Sequence, residues 1–96
     1  PPEPPRTDLL PGEPNPFVSE TVIRYALAQE TQVNLRIYDV SGELVAVLAM
    51  GARPAGDHQE TWDGRNSKGG RVAAGIYFVK LEAGPEVFRG KIVRIR

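Results

Sequence analysis

The sequence predicts an all-β fold, an immunoglobulin-like antiparallel β-sandwich of about seven short strands over residues 17–96. Two observations lead to this prediction. Several short segments alternate apolar with polar residues, which is the pattern of a strand that buries one face. Turn signals containing Gly, Pro or Asp recur about every 8 to 14 residues, and no helical repeat is long enough to form a stable helix.

The first two predicted strands show the alternation most clearly. Thr21–Leu27 and Gln32–Asp39 carry apolar residues at every second position, so each is expected to bury one face and leave the other wet. The predicted core residues of these strands are Ile23, Tyr25, Val33, Leu35 and Ile37.

The next segments are shorter and less regular. Asp39–Gly42 is a predicted tight turn, because Asp can bond the backbone two residues on and Gly42 tolerates a positive φ. Residues 43–49 fit either a helical stripe or a strand, but they are too few for a stable helix, so a strand is predicted. Residues 51–56 are predicted as a loop, and His58–Trp62 as the following strand.

The stretch from Trp62 to Leu81 is the predicted centre of the domain. One strand delivers the only tryptophan, a glycine-rich polar loop follows, and a second alternating strand starts at Gly75. Trp62 and Tyr77 are expected at the middle of the core, together with Val79 and Leu81. The loop residues predicted to be structural are Asp63, Gly64, Gly69 and Gly75.

The two ends of the chain receive different predictions. Seven of the nine prolines lie within residues 1–16, which predicts an extended, semi-rigid spacer, with Phe17 as the first anchor in the core. Residues 83–86 are a predicted turn, and Val87–Ile95 is the predicted last strand.

Composition excludes several classes of protein. The chain has no cysteine, so disulfide scaffolds, thiolate metal sites and cysteine nucleophiles are absent. No apolar run is long enough to span a membrane. The formal charge is −6 over residues 1–63 and +6 over residues 64–96. This asymmetry indicates either that charged side chains of opposite sign pair across neighbouring strands, or that the C-terminal half forms a basic surface used for docking.

No catalytic, cofactor-binding or metal-ligating set is predicted. Asp57 and His58 are adjacent on a strand and so point to opposite faces, unlike the acid and imidazole of a catalytic triad. The loop Asp63–Gly69 resembles a calcium loop only superficially, because Arg65 and Lys68 add positive charge and the bidentate Glu is missing. Basic residues without an aromatic stripe do not predict nucleic-acid binding.

Two aromatic residues are candidates for a carbohydrate platform. Tyr38 and Phe78 alternate with apolar neighbours that are already assigned to the core, so both are expected on an outer face. The alternative is that either ring fills the core.

The ordered motifs of this chain resemble a known family. Asn15-Pro16-Phe17 and Thr21–Leu27, then Val33–Gly42, are similar to the opening of the type A C-terminal sorting domains of type IX secretion. Residues 56–66, with Trp62-Asp63-Gly64, and the later Gly75-Ile76-Tyr77-Phe78 match its central motifs. Lys91-Ile92-Val93 resembles its last strand. The pattern is shared with the Ig-like domain of flagellar hook-capping proteins, and Asn66 departs from the Asp often found there.

The resemblance covers residues 13–96 and implies a function. It implies a non-catalytic C-terminal module of an exported bacterial protein, secreted or held at the cell surface after passing the periplasm. Its partners would be the secretion translocon or cell-surface components, and a covalently linked upstream catalytic or binding domain. The implied recognition strand comprises Lys91, Ile92, Val93, Arg94 and Arg96. Alternatives are an ancillary spacer or carbohydrate-binding module of a secreted glycoside hydrolase or protease, and a hook-cap-like assembly domain.

Overall fold

The computed structural model describes residues 6–95, which form seven strands in two antiparallel sheets packed as a sandwich. The predicted all-β, immunoglobulin-like fold is thereby confirmed. One sheet has the order β1-β2-β5 and the other β4-β3-β6-β7. The strands are β1 (Asp8–Leu9), β2 (Thr21–Leu27), β3 (Thr31–Tyr38), β4 (Leu44–Arg53), β5 (Gly56–Trp62), β6 (Gly75–Ala83) and β7 (Glu86–Arg94). The described part of the chain has no helix that is long and apolar enough to cross a membrane.

The core lies between the two sheets and is built by alternation. Every second side chain of β2, β3 and β6 points inward, which is the arrangement that a period of two residues produces. The nine residues assigned to the core from the sequence are all buried: Ile23, Tyr25, Val33, Leu35, Ile37, Trp62, Tyr77, Val79 and Leu81.

Trp62 lies at the centre of an aromatic cluster. Its ring centroid is 5.4 Å from that of Phe17 and 5.3 Å from that of Tyr77, in tilted and edge-on arrangements that aromatic quadrupoles favour. The indole Nε1 donates a hydrogen bond to the carbonyl of Arg65 at 3.0 Å, and the Tyr77 hydroxyl donates one to the carbonyl of Ala73 at 2.5 Å. Both buried polar groups are therefore satisfied.

The N-terminal segment differs from its prediction. Asp8–Leu9 pairs with β2, the Leu10 amide donates to the Arg24 carbonyl at 2.9 Å, and Glu13 forms a bridge with Val22. Residues 7–16, predicted as part of a semi-rigid Pro-rich linker, thus pair with the sandwich in the structure, and residues 1–5 lie outside the described residues. The reason is that proline removes only its own donor, and the residues between prolines still pair at a sheet edge.

Strand β4 is longer than predicted. The sequence predicts a strand that stops at residue 49 and a loop over residues 51–56, but pairing with β3 continues to Arg53, which lies opposite Thr31. Gly51 sits inside the strand with φ of +116°. The pairing shifts at Leu35/Arg36 and at Ile37/Tyr38. Gly51 therefore lies within the strand, and the strand ends at Arg53, directly before Pro54.

We expect Trp62→Ala to destabilise the domain by about 3–5 kcal/mol, because it removes a fully buried aromatic group and leaves a cavity. The measurement is the free energy of unfolding from denaturant titration. Val40→Ala is the matched control, since Val40 is 72% exposed, and it should change stability by less than about 0.5 kcal/mol. Equal losses in the two variants would contradict the central position of Trp62.

Candidate functional site

The candidate site is β7, an edge strand of the four-stranded sheet, together with the segment that covers part of that edge. Residues 15–17 lie beside the second half of β7. The Asn15 side chain accepts a hydrogen bond from the Val93 amide and donates one to the Lys91 carbonyl, both at 3.0 Å. The Phe17 amide donates to the Val93 carbonyl at 2.9 Å, and the Ile95 amide donates to the Phe17 carbonyl at 2.8 Å. We call residues 15–17 the N-terminal clamp.

The residues of the implied recognition strand occupy different environments. Lys91 is exposed, with its side chain on the outer face of the sheet. Ile92 is 1% exposed and belongs to the core, and the backbone of Val93 is held by the clamp. Arg96 lies outside the described residues. Among the described members of this group, Lys91 is therefore the one whose side chain is most open to a partner.

Arg94 is committed to the central loop. Its Nη1 donates to the Val72 carbonyl at 3.2 Å, and the side chain crosses directly over Gly64. A Cβ at position 64 would lie 3.0 Å from Arg94 Nε, and φ of Gly64 is +73°, so a larger residue would be both strained and crowded. Arg94 therefore connects the last strand to the loop after Trp62.

In the loop over residues 63–70, side-chain oxygens accept hydrogen bonds from the backbone amides of the same loop. Asp63 Oδ1 accepts from the Arg65 amide at 3.1 Å, and Asp63 Oδ2 lies 3.5 Å from Arg65 Nε. Asn66 Oδ1 accepts from the amides of Lys68 and Gly70, each at 3.0 Å. Gly64, Gly69 and Gly75 all have positive φ. These bonds hold a turn. Among residues 6–95, no three His, Asp or Glu side chains are grouped so that they could hold a metal ion.

His58 has a structural environment. Its ring stacks on Tyr25 with centroids 5.2 Å apart, and its Nε2 lies 2.7 Å from the Pro54 carbonyl. No serine or cysteine nucleophile is bonded to this imidazole in the described part of the chain.

The outer face of the four-stranded sheet carries exposed apolar residues on β4 and two exposed cations on β7. Cross-strand pairing places three rows on it, and these rows are Leu44–Tyr38–Phe78–Lys91, Val47–Arg36–Lys80–Arg89 and Met50–Asn34–Glu82–Val87. The exposed apolar residues of β4 on this face are Leu44, Val47 and Met50. The cations on this face are Arg36, Lys80, Arg89 and Lys91, two of them on β7, and they lie among the exposed apolar residues Phe78 and Val87. The sequence indicates a basic second half of the chain, but the register that gathers these cations on one face comes only from the structure.

Tyr38 and Phe78 are direct cross-strand partners at the middle of this face. Phe78 is 41% exposed, so the outward orientation that the sequence predicts for this ring is observed. The adjoining turn is held by Asp39, whose Oδ1 accepts from the Ser41 hydroxyl at 2.6 Å and from the Ser41 and Glu43 amides at 2.9 and 3.0 Å.

Together the two sheets, the aromatic cluster and the clamp define an immunoglobulin-like β-sandwich module. Within that class, a sequence model of the FlgD Ig-like domain family matches residues 18–86. The chain belongs to this family. No curated protein matches it.

Solved structures with the same fold include two kinds of bacterial protein. PorU of Porphyromonas gingivalis, described as dimeric and latent, matches with a TM-score of 0.74 at 18% identity over 97% of this chain and 10% of its own. PorZ of the same organism is described as an essential surface component of the type IX secretion system. It matches with a TM-score of 0.63 at 21% identity, over 92% of this chain and 11% of its own. FlgD of Xanthomonas campestris is described as a protein of hook capping in flagellar assembly. It matches with a TM-score of 0.63 at 25% identity, over 91% of this chain and 65% of its own.

The matches to PorU and PorZ cover only a small part of those proteins. The chain spans about a tenth of the length of PorU and of PorZ. At 18% and 21% identity, the likeness to these two proteins is one of fold.

We expect Asn15→Ala to lower the free energy of unfolding by about 1–2 kcal/mol, because two hydrogen bonds to β7 are lost. Amide exchange at Val93 should also become faster, which NMR would detect. Asn15→Asp is the matched variant: it keeps an acceptor for the Val93 amide, so exchange at Val93 should stay slow, but it places a carboxylate oxygen against the Lys91 carbonyl, so stability should still fall. Unchanged exchange at Val93 in Asn15→Ala would show that the clamp does not depend on this side chain.

We expect the turn at Asp39 to lose stability in acid. The hydrogen bond from the Ser41 hydroxyl, followed by the backbone bond from Glu43, lowers the pKa of Asp39 below its ordinary value of 3.8. A lowered folded-state pKa contributes stability above the ordinary pKa, and this contribution is lost as the pH falls through the folded-state value. Unfolding titrations of the parent and of Asp39→Asn should therefore differ at pH 7 and converge below the folded-state pKa. A difference independent of pH would contradict this role.

Proposed function

We propose that this domain is a non-catalytic C-terminal module of an exported bacterial protein, which acts as a sorting signal and cell-surface attachment domain. The observation that carries the proposal is the match to PorU and PorZ, which covers nearly all of this chain and only about a tenth of each of theirs. Such a ratio is typical of a module that accompanies different larger proteins. The sorting motifs read from Asn15 to Val93 support the same assignment.

The proposed partners follow from this role. The module would be joined covalently to an upstream catalytic or binding domain and would engage the secretion translocon or cell-surface components. The proteins that carry it would pass through the periplasm to the cell surface or the medium. The recognition element would be β7, because it lies at a sheet edge and presents Lys91 to solvent.

A second candidate function is supported by the paired rings of Tyr38 and Phe78. The exposed ring of Phe78 and the partly exposed ring of Tyr38 lie side by side on the outer face and offer a stacking platform for a sugar ring. In this case the domain would be an ancillary carbohydrate-binding module of a secreted glycoside hydrolase or protease. The likeness to FlgD supports a third role, in assembly of a hook-cap kind.

The test is a fusion of residues 1–96 to a periplasmic reporter, expressed in a bacterium with a working type IX system and in its translocon-deficient derivative. We expect the reporter at the cell surface only when the translocon is present. Lys91→Glu should reduce this display because it reverses the exposed charge of β7. Arg24→Glu is the matched control, since Arg24 is exposed on the other sheet, and it should not affect display.

Two outcomes would contradict the proposal. A folded fusion that stays in the periplasm of the competent strain would exclude the sorting role, and titration of the domain against a glycan panel would then become the next experiment. Equal display with and without the translocon would exclude the type IX route. Circular dichroism of each purified fusion checks that the domain is folded, so loss of display is not caused by unfolding.

A further inference from the structure

The first half of β7 has an uncovered backbone edge. The clamp binds the amide and carbonyl of Val93 and the carbonyl of Lys91, so these groups point away from β6. In an antiparallel pair, every second residue turns both backbone groups to the same side. Val87 and Arg89 therefore also direct their amide and carbonyl groups outward, as Lys91 directs its amide. These groups have no partner among residues 6–95, and all three residues are exposed.

Two of these residues, Arg89 and Lys91, also carry unpaired charge on the outer face. Arg89 lies opposite Lys80, and Lys91 lies opposite Phe78. Lys80 is 3.7 Å from Glu82, but Arg89 and Lys91 form no ion pair within the described residues. Like charges on directly opposite strand positions destabilise a sheet, and the pair Lys80–Arg89 carries this cost. An acidic group brought beside Arg89 would relieve it.

A second copy of the domain does not fit this edge. If two β7 strands paired with each other, Arg89 and Lys91 of one chain would lie beside the same residues of the other. Like charges on opposite sides of such a strand–strand interface oppose association. The edge therefore selects a partner of opposite charge.

We infer that residues Val87–Lys91 accept an extended acidic segment of a partner protein as an additional strand. Its backbone would pair with the outward amides and carbonyls of β7, and its carboxylates would lie beside Arg89 and Lys91 on the outer face. The N-terminal clamp ends the accessible edge at Lys91, so the added strand is limited to about five residues of pairing. This inference rests on the proposed function, because the partner would be a translocon or cell-surface component.

The test uses the full chain and two blocked synthetic octapeptides, one alternating Glu with Val and the other alternating Lys with Val. NMR hydrogen exchange reports the outward amides individually. We expect the Glu–Val peptide to bind and to slow exchange at Val87, Arg89 and Lys91, while the amide of Val93 changes little because the clamp already holds it. The Lys–Val peptide should produce neither effect. Protection of none of these amides, or equal protection by both peptides, would overturn the inference.

Three variants separate charge from backbone pairing. Arg89→Glu combined with Lys91→Glu should weaken binding of the Glu–Val peptide roughly tenfold or more and favour the Lys–Val peptide. Lys68→Glu combined with Arg71→Glu makes the same change in net charge on exposed loop residues, and it should leave binding nearly unchanged. Val87→Pro removes one outward amide without affecting pairing with β6, so it should weaken binding while the charge stays constant. Equal effects of the two double variants would overturn the inference.

The reporter fusion distinguishes failure of this inference from failure of the proposed function. If the Arg89→Glu, Lys91→Glu fusion is folded, does not bind the Glu–Val peptide and is still displayed through the translocon, the acidic-strand partner is wrong and the sorting role stands. If the parent domain binds the peptide but its fusion is not displayed, the sorting role is wrong and the acidic-strand site remains.

Discussion

Burial of Trp62 between Phe17 and Tyr77 is the interaction on which the rest of the structure depends. The three rings come from the clamp, from the end of β5 and from β6, so their contact joins the two sheets and the N-terminal segment. The Trp62 indole also fixes the loop through the Arg65 carbonyl. That loop in turn places Gly64 beneath Arg94. A single buried cluster thus positions the loop, the clamp and the last strand.

The same cluster explains why β7 has two unlike halves. Phe17 is drawn into the core by its ring, and its backbone is then carried alongside Val93 and Ile95, where it pairs. β1 of the other sheet contacts β7, with Leu9 near Gly90, but no described residue forms a hydrogen bond with the outward backbone groups of Val87 and Arg89. The uncovered length of the edge is therefore determined by where the aromatic anchor lies in the chain. Natural sheets generally protect long edges by charge or by covering segments, and β7 uses both devices, one on each half.

Sequence patterns predicted the features of this domain that depend on local periodicity. Alternation was enough to place Ile23, Leu35 and Val79 inside, since one buried face per strand is all that the pattern must encode. The turn at Asp39 and the glycine-rich loop after Trp62 followed from turn chemistry. The aromatic centre followed from the large, well-separated rings at positions 62 and 77. The fold class required nothing more.

Features that depend on distant partners could not be predicted in this way. The prolines of residues 7–16 indicated a spacer because the pairing of Glu13 with Val22 leaves no trace in local composition. Asn15 belongs to a recognisable motif, but its bonds to Lys91 and Val93 span 76 and 78 residues, and no local pattern encodes them. Gathering Lys80, Arg89 and Lys91 on one face requires the register between β6 and β7. For the same reason, the clamp can form only when the last strand is in place. Because contacts between residues far apart in the chain cost loop-closure entropy before they form, a chain synthesised from its amino end cannot form the clamp until residues 91–95 have emerged. The order of synthesis therefore delays completion of the fold.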